Sequence, residues 1–130
     1  MTYSLDALKK NRVSTLVYGG AEADRRGVAI TASQELPGAG VLVEAKDASS
    51  LERALSNPRS VVYVPDVTAL PPTTQRLLVR VMREREERPK LVLGLPISPD
   101  TATEKGGLTE DLKFWLARST VEVKGRGARK

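Results

Sequence analysis

The sequence predicts an α/β protein, a three-layer αβα sandwich around a parallel sheet of about five strands. Strand-like and helix-like stretches alternate along the whole chain. Several of the strand-like runs, VVYV at 61–64 and LVLGL at 91–95 among them, are apolar throughout instead of alternating. Strands of that kind are buried on both faces, which requires helices above and below the sheet. Proline and glycine punctuate the chain between these runs, at Gly19-Gly20, Pro37-Gly38, Pro58, Pro71-Pro72, Pro89 and Gly106-Gly107.

Each element has its own signal. Ser4 caps a short helix to Lys10 with Leu5 and Leu8 inward, and Val13–Tyr18 is a strand closed by Gly19-Gly20. Asp24–Gln34 has helical character that Gly27, Val28, Ile30 and Thr31 weaken. Gly40–Glu44 is a second strand, followed by a helix over LERALS, capped by Ser49 or Ser50, with Leu51, Ala54 and Leu55 inward. The strand from Ser60 follows, with Val61–Val64 expected at the centre of the sheet. The strongest helix runs from Pro72 to Glu87, proline in its first turn, with Leu77, Leu78, Val81 and Met82 facing the core. After Pro89 come a strand at Lys90–Leu95, a polar loop through Pro96, Pro99 and Gly106-Gly107, a helix at Thr109–Ala117 with Leu112 and Leu116 buried, and a strand at Thr120–Val123.

Composition excludes several chemistries. The 130 residues suit one domain, expected over 1–123, with a basic flexible tail at 124–130. There is no cysteine and no histidine, so thiolate metal sites, disulfides and histidine general bases are ruled out. The formal charge is +5, but Lys124, Arg126, Arg129 and Lys130 supply four of those charges, leaving 17 basic and 16 acidic groups before them. That balance argues against a nucleic-acid surface. No apolar run has the length of a membrane span or a signal-peptide core, so a cytoplasmic protein without membrane association is expected.

The stretch Ser60–Leu78, SVVYVPDVTALPPTTQRLL, carries a resemblance. Its order of acidic strand, Leu-Pro, and a helix with Gln75, Leu77, Leu78, Arg80, Val81 and Met82 resembles the AAA+ domain of the NtrC-like bacterial enhancer-binding activators, ATPases that remodel RNA polymerase carrying sigma-54. The match runs over 13–123 and is most specific over 60–84. It implies the P-loop NTPase fold. It also implies a set of positions at which the chemistry of that family can be checked.

At those positions this chain departs from the family. A phosphate loop needs glycines whose N–H groups wrap the phosphates, a lysine, and a hydroxyl for magnesium. Here Gly19 and Gly20 lead into Asp24, Arg25 and Arg26 where the second glycine, the lysine and the hydroxyl are expected. The strand that normally ends in two acids, for magnesium and for the attacking water, ends in Pro65-Asp66. A lone Asp66 reads as a turn or helix-start residue. The polar sensor after the fourth strand is replaced by Gly94-Leu95-Pro96-Ile97, and the intersubunit arginines by Thr109 and Trp115 around Asp111-Leu112. The sigma-contacting insertion, the lid domain and the DNA-binding module have no counterpart in the 130 residues.

The expectation from these departures is a pseudo-ATPase with no enzymatic activity, cofactor or metal, which regulates by binding another protein as an inhibitor, escort or adaptor. The partner would be an enzyme it inhibits or a related AAA+ ATPase. The alternatives are a nucleotide-binding switch without hydrolysis, and a dominant-negative regulator of an enhancer-binding ATPase. The candidate interface is Trp115 with Leu95, Pro96, Arg25 and Arg26. Phe114 and Trp115 also read as core or lid-covering aromatics. The run Arg83–Arg88 reads as a solvated helix end with a Glu84–Arg88 pair.

Overall fold

In a computed structural model, described here for residues 3–38 and 40–123, five parallel strands form one sheet with helices on both faces. In chain order the elements are α1 (Leu5–Leu8), β1 (Thr15–Tyr18), α2 (Glu22–Glu35), β2 (Val41–Glu44), α3 (Ala48–Ala54), β3 (Ser60–Val64), α4 (Pro72–Glu84), β4 (Lys90–Leu95), α5 (Pro99–Glu104), α6 (Glu110–Trp115) and β5 (Thr120–Glu122). The strand order is β2-β3-β4-β1-β5. All four pairings are parallel, with Val62 opposite Leu91 and Leu16 opposite both Leu93 and Thr120. The expected sandwich is therefore present. The basic tail at 124–130 lies outside the described residues.

Alternation along the strands divides the core in two. Leu16, Val62, Val64, Leu91, Leu93 and Leu95 face α3, α4 and α6 through Leu51, Leu55, Leu78, Val81, Leu112 and Leu116. Val17, Val61, Tyr63 and Val92 face α2 through Val28, Ala29, Ala32 and Leu36. Neighbouring residues on one strand thus serve opposite layers, which is why β3 and β4 show unbroken apolar runs.

Several boundaries differ from expectation for local reasons. β3 has a neighbour on either side, but the middle strand is β4, because β1 inserts beside β4 and carries β5 outside it. The helix expected from Asp24 begins at Glu22, because the Asp24 carboxylate turns back to accept the Ala21 N–H at 2.8 Å. Asp47, ahead of the expected serines, caps α3; its carboxylate accepts the Ser50 N–H at 2.8 Å while Ser50 Oγ accepts from the Asp47 N–H at 3.2 Å. α4 stops at Glu84, and the expected Glu84–Arg88 pair gives way to Arg88 donating to the Arg85 carbonyl at 2.6 Å. The supposed loop after β4 contains α5, with Ser98 as its cap and Pro99 at its first position.

Gly94 in mid-strand is required by close approach. A Cβ there would lie 2.5 Å from the Pro65 carbonyl oxygen and 2.9 Å from that of Val64. Lys90, at the start of β4, is wholly buried. Its ammonium donates to the carbonyl oxygens of Leu8 (2.8 Å) and Val13 and to Thr15 Oγ1 (2.9 Å), which pins the segment between α1 and β1 to the sheet.

Candidate functional site

The carboxyl ends of β1 and β3 meet the amino end of α2, the usual place for ligands in open α/β sheets. Three residues, Gly19, Gly20 and Ala21, separate β1 from α2. Both glycines adopt left-handed backbone, φ 84° and 58°. A Cβ on Gly20 would stand 3.0 Å from the Val123 carbonyl oxygen. Two of the turn's three N–H groups are used within the protein: that of Gly19 donates to the Leu95 carbonyl at 3.1 Å and that of Ala21 to Asp24. Arg25 folds back over the turn and donates from Nη1 to the carbonyls of Gly19 (2.7 Å) and Gly20 (3.2 Å). Its Nε is buried without a partner among the described residues.

Arg26, one position on, belongs to a separate cluster. Its guanidinium sits between Glu44 Oε1 (2.6 Å) and Glu22 Oε2 (2.9 Å), with its carbon 5.1 Å from the centroid of the Tyr63 ring. The buried Tyr63 hydroxyl donates to the same Glu22 oxygen at 2.9 Å. Hydrogen bonds donated to the two carboxylates hold the guanidinium firmly charged, and the one to Glu44 keeps that carboxyl below the usual range. Burial, more than the Glu22 bond, raises the Tyr63 phenol. An open cleft of about 360 Å³ lies beside this cluster, bordered by Lys46, Pro65, Asp66 and Ala69.

Asp66 is a turn residue. Its Oδ1 accepts from the Thr68 N–H (3.0 Å) and the Thr68 hydroxyl (2.6 Å), capping a single 3₁₀ turn at Val67–Ala69. Behind it, Gln75 on α4 is buried and fully engaged. Its Nε2 donates to the carbonyls of Leu70 (3.0 Å), Gly107 (2.8 Å) and Val67 (3.3 Å), and its Oε1 accepts the Thr109 N–H (2.9 Å). The glutamine that carried the family register thus joins the Leu-Pro loop to the start of α6. Among the described residues no cluster of three or more acids has metal-binding geometry.

The five residues expected to form one interface are divided by the fold. Leu95 is 0% exposed within the α4–α6 core and Arg25 only 6% exposed over the glycine turn, so neither offers a contact surface. Arg26 is paired on the α2 face, while Trp115 lies on α6, on the opposite face of the sheet. Pro96 is exposed at the end of β4. Trp115 is 44% exposed and Phe114 74%, their rings in an edge-to-face pair 6.2 Å apart. Neither aromatic is core, contrary to the second reading of these positions. Leu112 and Leu116 fill the inward face of this short helix, which leaves 114 and 115 facing outward.

No protein-family model and no curated protein matches the sequence. Solved structures do resemble the fold. NtrX from Brucella abortus in complex with ATP superposes at TM-score 0.72 and 18% identity, over 96% of this chain and 36% of that one. The P-loop NTPase domain of an E. coli sigma-54 activator gives 0.73 and 16%, covering 92% of this chain and 90% of that domain. RuvB from Thermotoga maritima, as a T158V variant, gives 0.60 and 15%, over 92% and 41%. The chain spans about a third of the NtrX length. Its fold is the P-loop NTPase fold of these structures, the sigma-54 activator domain among them.

Proposed function

We propose that the protein is a non-catalytic regulator that acts in the cytoplasm by binding another protein, on a fold shared with AAA+ ATPases. The observation that carries this reading is the turn between β1 and α2. Phosphate binding there depends on free backbone N–H groups and an incoming lysine. In this chain the Gly19 and Ala21 N–H groups are bonded internally, Asp24 places a carboxylate at the helix start, and Arg25 is spent on two carbonyls. Asp66, the one acid after β3, is occupied by Thr68. On the other side of the balance, the exposed Phe114–Trp115 pair has the composition of a protein contact. Among the described residues no helix is long and apolar enough to cross a membrane.

Titration calorimetry with ATP and ADP, with and without magnesium, tests the reading. No binding at millimolar nucleotide and no phosphate release are expected. One observation favours a second reading, a nucleotide-responsive switch: the buried, unpartnered Nε of Arg25 is a donor an anion would satisfy. Micromolar binding of ADP that Arg25→Ala abolishes would replace the first reading with the second.

A further inference from the structure

We infer that the outer surface of the α4–α6 layer docks an acidic amphipathic helix of a partner protein; this rests on the protein-binding reading above and specifies its chemistry. Thr73, Arg76, Arg80 and Arg83 are all exposed on α4. The three arginines recur at i, i+4 and i+7 and so form one stripe about 10 Å long. Among the described residues none of them has a carboxylate within salt-bridge distance, whereas Arg26 and Lys113 do. α4 and α6 pack against each other on one face of the sheet. The stripe therefore shares a layer with the Phe114–Trp115 pair.

The chemistry of an occupant follows from that juxtaposition. A helix laid along α4 presents carboxylates at the same spacing to the three guanidiniums, which favour bidentate carboxylate pairing. Its apolar side then covers the two aromatic rings. Arginines beside aromatics also fit single-stranded nucleic acid. Here Glu110 and Asp111 stand exposed in the first turn of α6, next to the aromatics, and would repel a phosphate backbone. A peptide accommodates them by leaving that end uncharged or basic.

The test uses the full chain and three probes: a peptide of about 20 residues with leucines on one face and glutamates at i, i+4 and i+7, its lysine-for-glutamate counterpart, and oligothymidine of about 12 nucleotides. Trp115 is the sole tryptophan, so its emission reports directly on the surface. The glutamate peptide should shift that emission to the blue and move the amide resonances of α4 and α6. Combined Arg76→Glu, Arg80→Glu and Arg83→Glu should weaken it at least about tenfold and transfer preference to the lysine peptide, with an unchanged circular dichroism spectrum. An unshifted emission, an affinity indifferent to the charge reversal, or tighter binding of oligothymidine would each overturn the inference. Nucleotide binding is read separately. Micromolar ATP affinity alongside charge-dependent peptide binding would replace the nucleotide-independent regulator with the nucleotide-responsive switch and keep this surface, and the reverse pattern would do the opposite.

Discussion

Gln75→Met removes one amide while keeping side-chain length, and its cost can be worked from the contacts. The amide serves three carbonyls and one N–H. The Val67 carbonyl keeps a second partner, the Leu70 N–H at 3.1 Å, so it is not orphaned. The Leu70 and Gly107 carbonyls and the Thr109 N–H lose the bonds that Gln75 provides. At about 1 kcal/mol for each of these groups, with part regained through the more apolar methionine, the net loss is ~2–3 kcal/mol. For a domain of this size that lowers Tm by about 10 °C. Urea and thermal melts followed by circular dichroism measure it. Gln75→Glu is the control: a carboxylate still accepts from Thr109 but has no donor for the carbonyls, so it should cost at least as much. A loss under about 1 kcal/mol for both variants would refute the reasoning, since it would mean that water or a backbone shift replaces the amide.

Further outcomes follow from other contacts. Gly94→Ala should destabilise by ~2–3 kcal/mol in the same melts, because the added Cβ meets the Pro65 carbonyl at 2.5 Å and both partners are backbone. Burial, with a smaller contribution from the Arg12 charge, lowers the Lys90 ammonium to about 7. Since the unfolded chain then holds a proton that the folded chain gives up, stability should rise from pH 7 towards pH 10, by up to ~1.4 kcal/mol per pH unit. In Lys90→Met that slope should vanish; a slope unchanged by the substitution would show that Lys90 stays charged on its carbonyls. Trp115→Ala should melt like the parent protein yet lose ~2 kcal/mol of partner affinity by calorimetry, a typical hot-spot cost. Unfolding of that variant would make the tryptophan structural.

What the sequence determined by itself was local. β4 spans Lys90–Leu95 as read, because Pro89 and Pro96 bracket an apolar run that no amphipathic helix would tolerate. α4 starts at Pro72 because proline there lacks only an N–H that a first turn leaves free. Asp66 as a turn residue was likewise legible from the proline before it and the Leu-Pro after it. α5 was legible too, in Ser98-Pro99, but the neighbouring glycines obscured it.

Tertiary structure decided what depends on residues far apart in the chain. Lys90 reads as a strand's polar first residue; only the placing of β1 beside β4 brings the carbonyls of Leu8 and Val13 to its ammonium. Gly94 reads as a missing sensor, and only its packing against Pro65 shows a steric requirement. Arg25 and Arg26 look alike in sequence, yet they lie 100° apart around α2. One is therefore turned over the glycine turn and buried, the other towards Glu44. Trp115 and Leu95 seemed partners on one surface, but the alternation of β4 sends Leu95 into the core beneath α4 and α6, while Leu112 and Leu116 turn Trp115 out to solvent. Sequence periodicity shows that a face exists; which face meets the sheet is set by the strand order, through contacts no local pattern contains.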